Sequence, residues 1–130
     1  MADRFLTWHQ AKVLGSETRI GPVFYMDADY EPVAVRIYAV GAPRLGDTLV
    51  DIFDDGVSIF ADRGTAAGDT RTVAALANGE NFEEIAEDFS VEDIAKGSLV
   101  HCEIVDAGDC RDLSVHLELQ RVGEPDEETE

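Results

Sequence analysis

The positions from Val33 to Ala61 read as three short strands joined by two turns. Between Val33 and Val40 apolar and polar residues alternate, with Val33, Val35, Ile37 and Ala39 on one side and Arg36 and Tyr38 on the other. That two-residue period is the signature of a half-buried strand. Gly41-Ala42-Pro43 stops it. Thr48 to Phe53 and Val57 to Ala61 are rich in Val, Ile and Phe, and only Asp54-Asp55-Gly56 separates them. An Asp-Gly pair between apolar runs predicts a tight hairpin, because Gly takes the positive φ of such a turn and Asp tolerates it.

The flanking segments extend the same pattern. Phe5 to Leu14 fits either a short helix or a strand, anchored by Phe5, Trp8 and Val13; after the polar turn Gly15 to Thr18, Arg19 to Met26 predicts a strand and hence an N-terminal hairpin. Asp27 to Pro32 is an acidic bend. Asp62 to Asp69 is a small, polar surface loop without a phosphate-binding pattern, and Thr70 to Leu76 predicts a further strand before the Asn78-Gly79 turn. From Asn81 to Phe89, Phe82, Ile85, Ala86 and Phe89 lie at helical spacing, although a bent pair of strands fits as well; either version buries Phe82 and Phe89. Ser90 to Gly97 predicts a single helical turn, capped by Ser90 and ended by Gly97. Leu99 to Val105 and Leu113 to Leu119 then predict a closing hairpin across Asp106 to Arg111, with Val100, Cys102 and Ile104 on one inward face and Leu113, Val115, Leu117 and Leu119 on the other.

These residues also carry a resemblance. An RxY strand, a G-x-P turn, the motif LVDIxxDGxSIF from Leu49 to Phe60, and the pair KGSLVHCEIVDAG and DLSVHLEL together resemble a family of small β-sandwich domains in tailed-bacteriophage virion proteins, of minor tail or fibre type. Gly21 to Met26 is similar to the aromatic strand before the motif, so the likeness runs from about Ile20 to Leu119. It favours the strand reading for Phe5 to Leu14. The expected fold is an all-β antiparallel sandwich of about eight strands, jelly-roll-like, with one short helical corner between sheets. Residues 1–123 form the one expected domain, and residues 124–130, EPDEETE, a disordered acidic tail.

Charge narrows the partners. The chain of 130 residues carries 28 acidic and 10 basic side chains, a formal net charge of −18, and from Glu80 onward 17 acidic residues face 3 basic ones. Such a surface repels phosphate backbones and anionic lipid, so neither nucleic acid nor membrane is an expected partner. A basic docking surface on another virion protein is compatible with it. No apolar run approaches the length of a membrane span and no secretory leader is expected. Cys102 and Cys110 would fall in a strand and in a turn, a poor geometry for a bridge, so both are expected as thiols of a chain made in a reducing cytoplasm.

Candidate chemistry is sparse. His101, Cys102, Cys110 and His116 make up a metal-like set without the paired short spacing that zinc sites use, and the closing hairpin would place both histidines outward, near each other. Asp27 with Asp29, Asp51 with Asp54 and Asp55, and Asp106 with Asp109 and Asp112 offer oxygens to Ca²⁺, the last group first, but none has a dedicated loop register, and Asp is also a turn residue. No nucleophile elbow and no phosphate-binding loop occurs, so no enzyme, cofactor or metal is expected. Trp8 and Tyr38 are the candidate interface residues, Tyr38 because it lies on the polar side of its strand.

The resemblance implies a non-enzymatic structural protein of a tailed-phage virion, made in the host cytoplasm. A tail, baseplate or fibre component presenting a rigid surface is the leading expectation, with a capsid decoration protein on the outer shell or a glycan-binding host-adhesion module as alternatives. It implies other virion proteins as partners, a homo-oligomer, trimeric by analogy, and a host-surface glycan as a further candidate.

Overall fold

A computed structural model describes residues 4–11, 18–60, 74–86, 89 and 93–122. These form nine strands: β1 (Arg4–Gln10), β2 (Thr18–Tyr25), β3 (Tyr30–Gly41), β4 (Thr48–Asp54), β5 (Val57–Ser58), β6 (Ala74–Leu76), β7 (Phe82–Ile85), β8 (Leu99–Asp106) and β9 (Arg111–Arg121). One sheet has the order β1-β9-β3-β7, and the other runs β2-β8-β4 with β5 and β6 both on β4. All pairings are antiparallel. Apart from the β4–β5 hairpin, each strand lies beside partners distant in sequence.

The inward faces follow the sequence alternation. Leu113, Val115, Leu117 and Leu119 of β9 are buried, as are Val100, Cys102 and Ile104 of β8, Leu6 and Trp8 of β1, and Val50 and Ile52 of β4, and all belong to one core. Full burial of an aliphatic side chain of this size contributes about 1.5–3 kcal/mol. Side chains from two sheets therefore fill a single interior.

The β4–β5 hairpin forms where the Asp-Gly pair predicts it. Phe53 faces Ser58 and Asp54 faces Val57. Asp55 and Gly56 take φ of 51° and 87°, positive at both central residues as a tight hairpin turn demands. Inside the motif, Ser58 Oγ donates to Asp51 Oδ1 at 2.6 Å and accepts the Phe60 amide at 3.1 Å. The motif's Asp and Ser thus fasten the hairpin to itself.

Several expectations need correction. The expected jelly-roll-like sandwich with one helical corner is instead an all-β antiparallel sheet structure with no closed barrel and, among the described residues, no helix. Where the corner was expected, Ile94 bridges Tyr30 through backbone hydrogen bonds in both directions, at 2.9 and 2.6 Å. The Lys96 amide goes to Asp29 Oδ1 and that of Gly97 to the Met26 carbonyl, so these donors are tied to neighbouring segments and not to a helical turn. Ser90, its expected cap, lies outside the described residues, as do the Asp62 to Asp69 loop and the acidic tail. Phe82 is half exposed, at 51%, because its strand is an edge of the first sheet and its ring is on the outer face.

Two expected hairpins are also absent. The first and second strands sit in different sheets, and so do the last two: β8 joins β2 and β4, whereas β9 lies between β1 and β3. Their apolar faces do meet, but across the core. Asp109 and Asp112, with Gly108 between β8 and Asp109, have positive φ and turn the chain from one sheet to the other. In β3 the register slips between Pro32 and Ala34, so Val33 is an extra residue, only half-buried, and Ala34 is buried instead.

Trp8 locks the two sheets together at the N-terminal side. Its ring is fully buried, meets Phe24 edge-on at 5.4 Å and donates Nε1–H to the Pro22 carbonyl at 2.8 Å. Gly21 has φ of 66°, and a Cβ there would lie 2.8 Å from Trp8 Cδ1, so the indole occupies the space a side chain would need. Gly21→Ala should therefore destabilise the domain by about 2 kcal/mol or more, through strain and overpacking combined. Phe5→Ala, at an exposed neighbour on the same strand as Trp8, should stay within about 0.5 kcal/mol. Denaturant midpoints compared at equal slope check both.

Candidate interaction surfaces

The outer face of the β1-β9-β3-β7 sheet is built in cross-strand rows. In one row Thr7 faces His116, which faces Arg36, which faces Glu84. Arg36 holds Glu84 through Nε at 3.0 Å and Nη2 at 2.9 Å, and reaches Glu118 through Nη1 at 2.8 Å. These carboxylates, Glu118 foremost, raise the guanidinium's pKa. His116 bonds Thr7 Oγ1 at 3.2 Å, and burial, reinforced by Arg36, lowers its pKa. At neutral pH it is uncharged. The row's polar groups are satisfied by one another.

The next row runs His9, Ser114, Tyr38 and Phe82. Tyr38 and Phe82 are directly opposed across β3 and β7, and Val40 follows Tyr38 on the same face; their exposures are 45%, 51% and 61%. Asn81 fixes this corner, since its Nδ2 donates to the carbonyls of Ala39 at 2.8 Å and Val40 at 3.1 Å, while its own carbonyl accepts the Ala39 amide. Tyr38 is thus where the sequence places it, on an exposed face. Trp8 is not at the surface at all. Phe82 joins Tyr38 only through the β3–β7 register, a pairing across more than forty residues that leaves no local signal.

On the opposite sheet Tyr25 faces Leu99, and both side chains are exposed. Beside them Phe53 stacks on His101 with ring centres 4.9 Å apart, and His101 Nε2 lies 3.0 Å from Glu103. The two outer faces thus each carry an apolar pair.

The metal-like set is scattered. His101 is on one outer face and His116 on the other, not near each other, because their strands belong to different sheets. Cys102 and Cys110 are buried thiols, and burial, aided by Asp51 and Glu103, pushes the Cys102 pKa well up, which keeps it protonated and unreactive. Several of the acidic groups are engaged by protein. Asp27 accepts from Arg4 and from the Tyr30 hydroxyl, chiefly the latter lowering its pKa; Asp29 accepts the Lys96 amide, Asp106 the Gly108 amide, and Asp109 pairs with Arg44 at 2.7 Å. Among the described residues no group of three or more His, Cys, Asp or Glu is arranged to hold a metal ion. A cleft of about 350 Å³ is lined by Gly41, Ala42, Arg44, Asp109 and Arg111, and its acid is the one already held by Arg44.

Fold and surfaces together define a two-sheet, all-β domain whose polar chemistry is directed inward on itself. No family model matches the chain, and no curated protein matches it. Among solved structures it is similar to a chain in the acidic stable capsid structure of Helicobacter pylori bacteriophage KHP30, at a TM-score of 0.47 and 15% identity, over 95% of this chain and 92% of that one.

Asp54 is the carboxylate whose environment opposes its charge. Burial raises its pKa, a hydrogen bond from Ser98 opposes the rise, and Asp55 adds to it, while Oδ1 is buried without a hydrogen-bond partner. A pKa raised on folding means stability that is present below the unfolded value, near 3.8, and lost as pH climbs through the folded one. Asp54→Asn should thus raise the thermal midpoint at pH 7 by up to about 4 °C, the response of a small domain to roughly 1 kcal/mol. The gain should vanish when the same melts are run near pH 3.

Proposed function

We propose that this chain is a non-enzymatic structural protein of a bacteriophage particle, seated on the outer capsid shell. The observation that carries the reading is the pairing of a rigid two-sheet body with separate exposed apolar pairs on its two outer faces, Tyr38 with Phe82 and Tyr25 with Leu99. A part of an assembly must meet neighbours on more than one side. The LVDIxxDGxSIF hairpin, with its Asp51–Ser58 lock, supports the same reading through its resemblance to virion domains.

One further feature is consistent with the outside of a shell. A net charge of −18 is suited to a place away from packaged DNA, whose phosphates it repels. Other virion proteins are its partners in this reading, and contact with them would cover its sheet edges.

Gold-labelled antibody to the chain, applied to intact purified particles whose proteins are also quantified by mass spectrometry, checks both levels. The reading expects label over the capsid at many copies per particle. Label confined to tails would move the chain to the tail, and particles without the chain would end the virion reading.

A further inference from the structure

We infer that Tyr38, Val40 and Phe82 form a docking pad for a different protein, one whose contact surface is apolar at its centre and carries Lys or Arg at its rim. The inference deepens the particle reading by naming a surface and the chemistry of what it meets, and it rests on that reading only for where the partner is found. The three side chains lie together on one face, in directly opposed and next-but-one positions of β3 and β7. Each is 45% exposed or more. Directly opposed positions on a strand pair have their Cβ atoms about 5 Å apart, so Tyr38 and Phe82 are neighbours on this face. Aromatic anchors of this kind dominate the energy of protein interfaces when a partner excludes water from them.

The pad is also held rigid. Asn81 ties β7 to the carbonyls of Ala39 and Val40, and Arg36, gripping Glu84 and Glu118, spans β7, β3 and β9 just beyond it. Little ordering remains to be done on binding, which favours affinity.

Charge selects the occupant. Arg36 is the basic residue of the neighbouring row and is already held by two carboxylates, whereas His116 beside it is neutral. Glu80 is exposed at the end of the β7 segment, two positions before Phe82. With −18 on each chain, a second copy would approach against like charge, while a basic surface would be drawn in.

A photo-crosslinking residue, p-benzoylphenylalanine, placed at position 82 in the full chain produced in its native host background tests this, with the same probe at the exposed Leu45 between β3 and β4 as control. The pad predicts an adduct from position 82 to one protein other than this chain, through a peptide combining apolar residues with Lys or Arg. With that partner purified, Tyr38→Ala together with Phe82→Ala should weaken binding at least about tenfold, as loss of interface anchors does. Glu80→Lys should slow association, and both variants should melt like the parent because the residues are exposed. No adduct, an adduct between two copies, an acidic contact peptide, or unchanged binding by the double variant would overturn the pad. Whether the adduct is recovered in particles or outside them judges the virion reading separately.

Discussion

The domain depends on the placement of β9. This strand is hydrogen-bonded along both edges, to β1 on one side and β3 on the other, and all four of its inward side chains, Leu113, Val115, Leu117 and Leu119, are buried against the second sheet. Through β3 it also positions β7. Without it the first sheet would be reduced to the lone strand β1 and the two-stranded β3–β7 pair, and neither an isolated strand nor a single strand pair is stable by itself in water. Because every one of these pairings is long-range, the loop entropy of the chain is offset only when the sheet assembles as a whole.

The same strand links scaffold to surface. Its outward residues Ser114, His116 and Glu118 lie between those of β1 and β3 and complete the rows in which Arg36 and Tyr38 sit. The polar row is closed by its own ion pairs and hydrogen bonds, so the adjoining row of Tyr38 and Phe82 is left as the place where new contacts gain most. On the other sheet, the Asp51–Ser58 lock and the Asp55 carboxylate, which accepts the Leu99 amide at 2.9 Å, hold the hairpin against β8. Acidic residues here serve structure, and this is why a chain so rich in carboxylates assembles no metal site among the described residues.

How much of this was legible in the sequence follows from the range of each signal. The β4–β5 hairpin is local, and the Asp-Gly pair reveals it. Which residues of β8 and β9 face inward is also visible, because alternation is a property of one strand. Alternation says nothing about which strand lies alongside, so two strands facing each other across a core look like a hairpin until positive φ at Gly108, Asp109 and Asp112 redirects the chain. Ser90 to Gly97 has the residues of a capped turn, yet Ile94 gains more from pairing with Tyr30, a contact no short window contains. Trp8 and Phe82 exchange their expected places for a similar reason: an aromatic's burial is decided by what packs over it, Gly21 and Pro22 for Trp8 and no described strand for Phe82 at the sheet's edge. The pad at Tyr38 was therefore half visible, since Tyr38's outward position is local and its partner's is not.

Amide-resolved native-state hydrogen exchange tests the central place of β9 most directly. Amides of a strand bonded on both sides and buried on one face should exchange only through global unfolding. The account predicts that Leu113 to Leu119 are among the last to exchange, with the edge strand β7 released at clearly lower free energy. Exchange of the β9 amides ahead of those in β7 would contradict it.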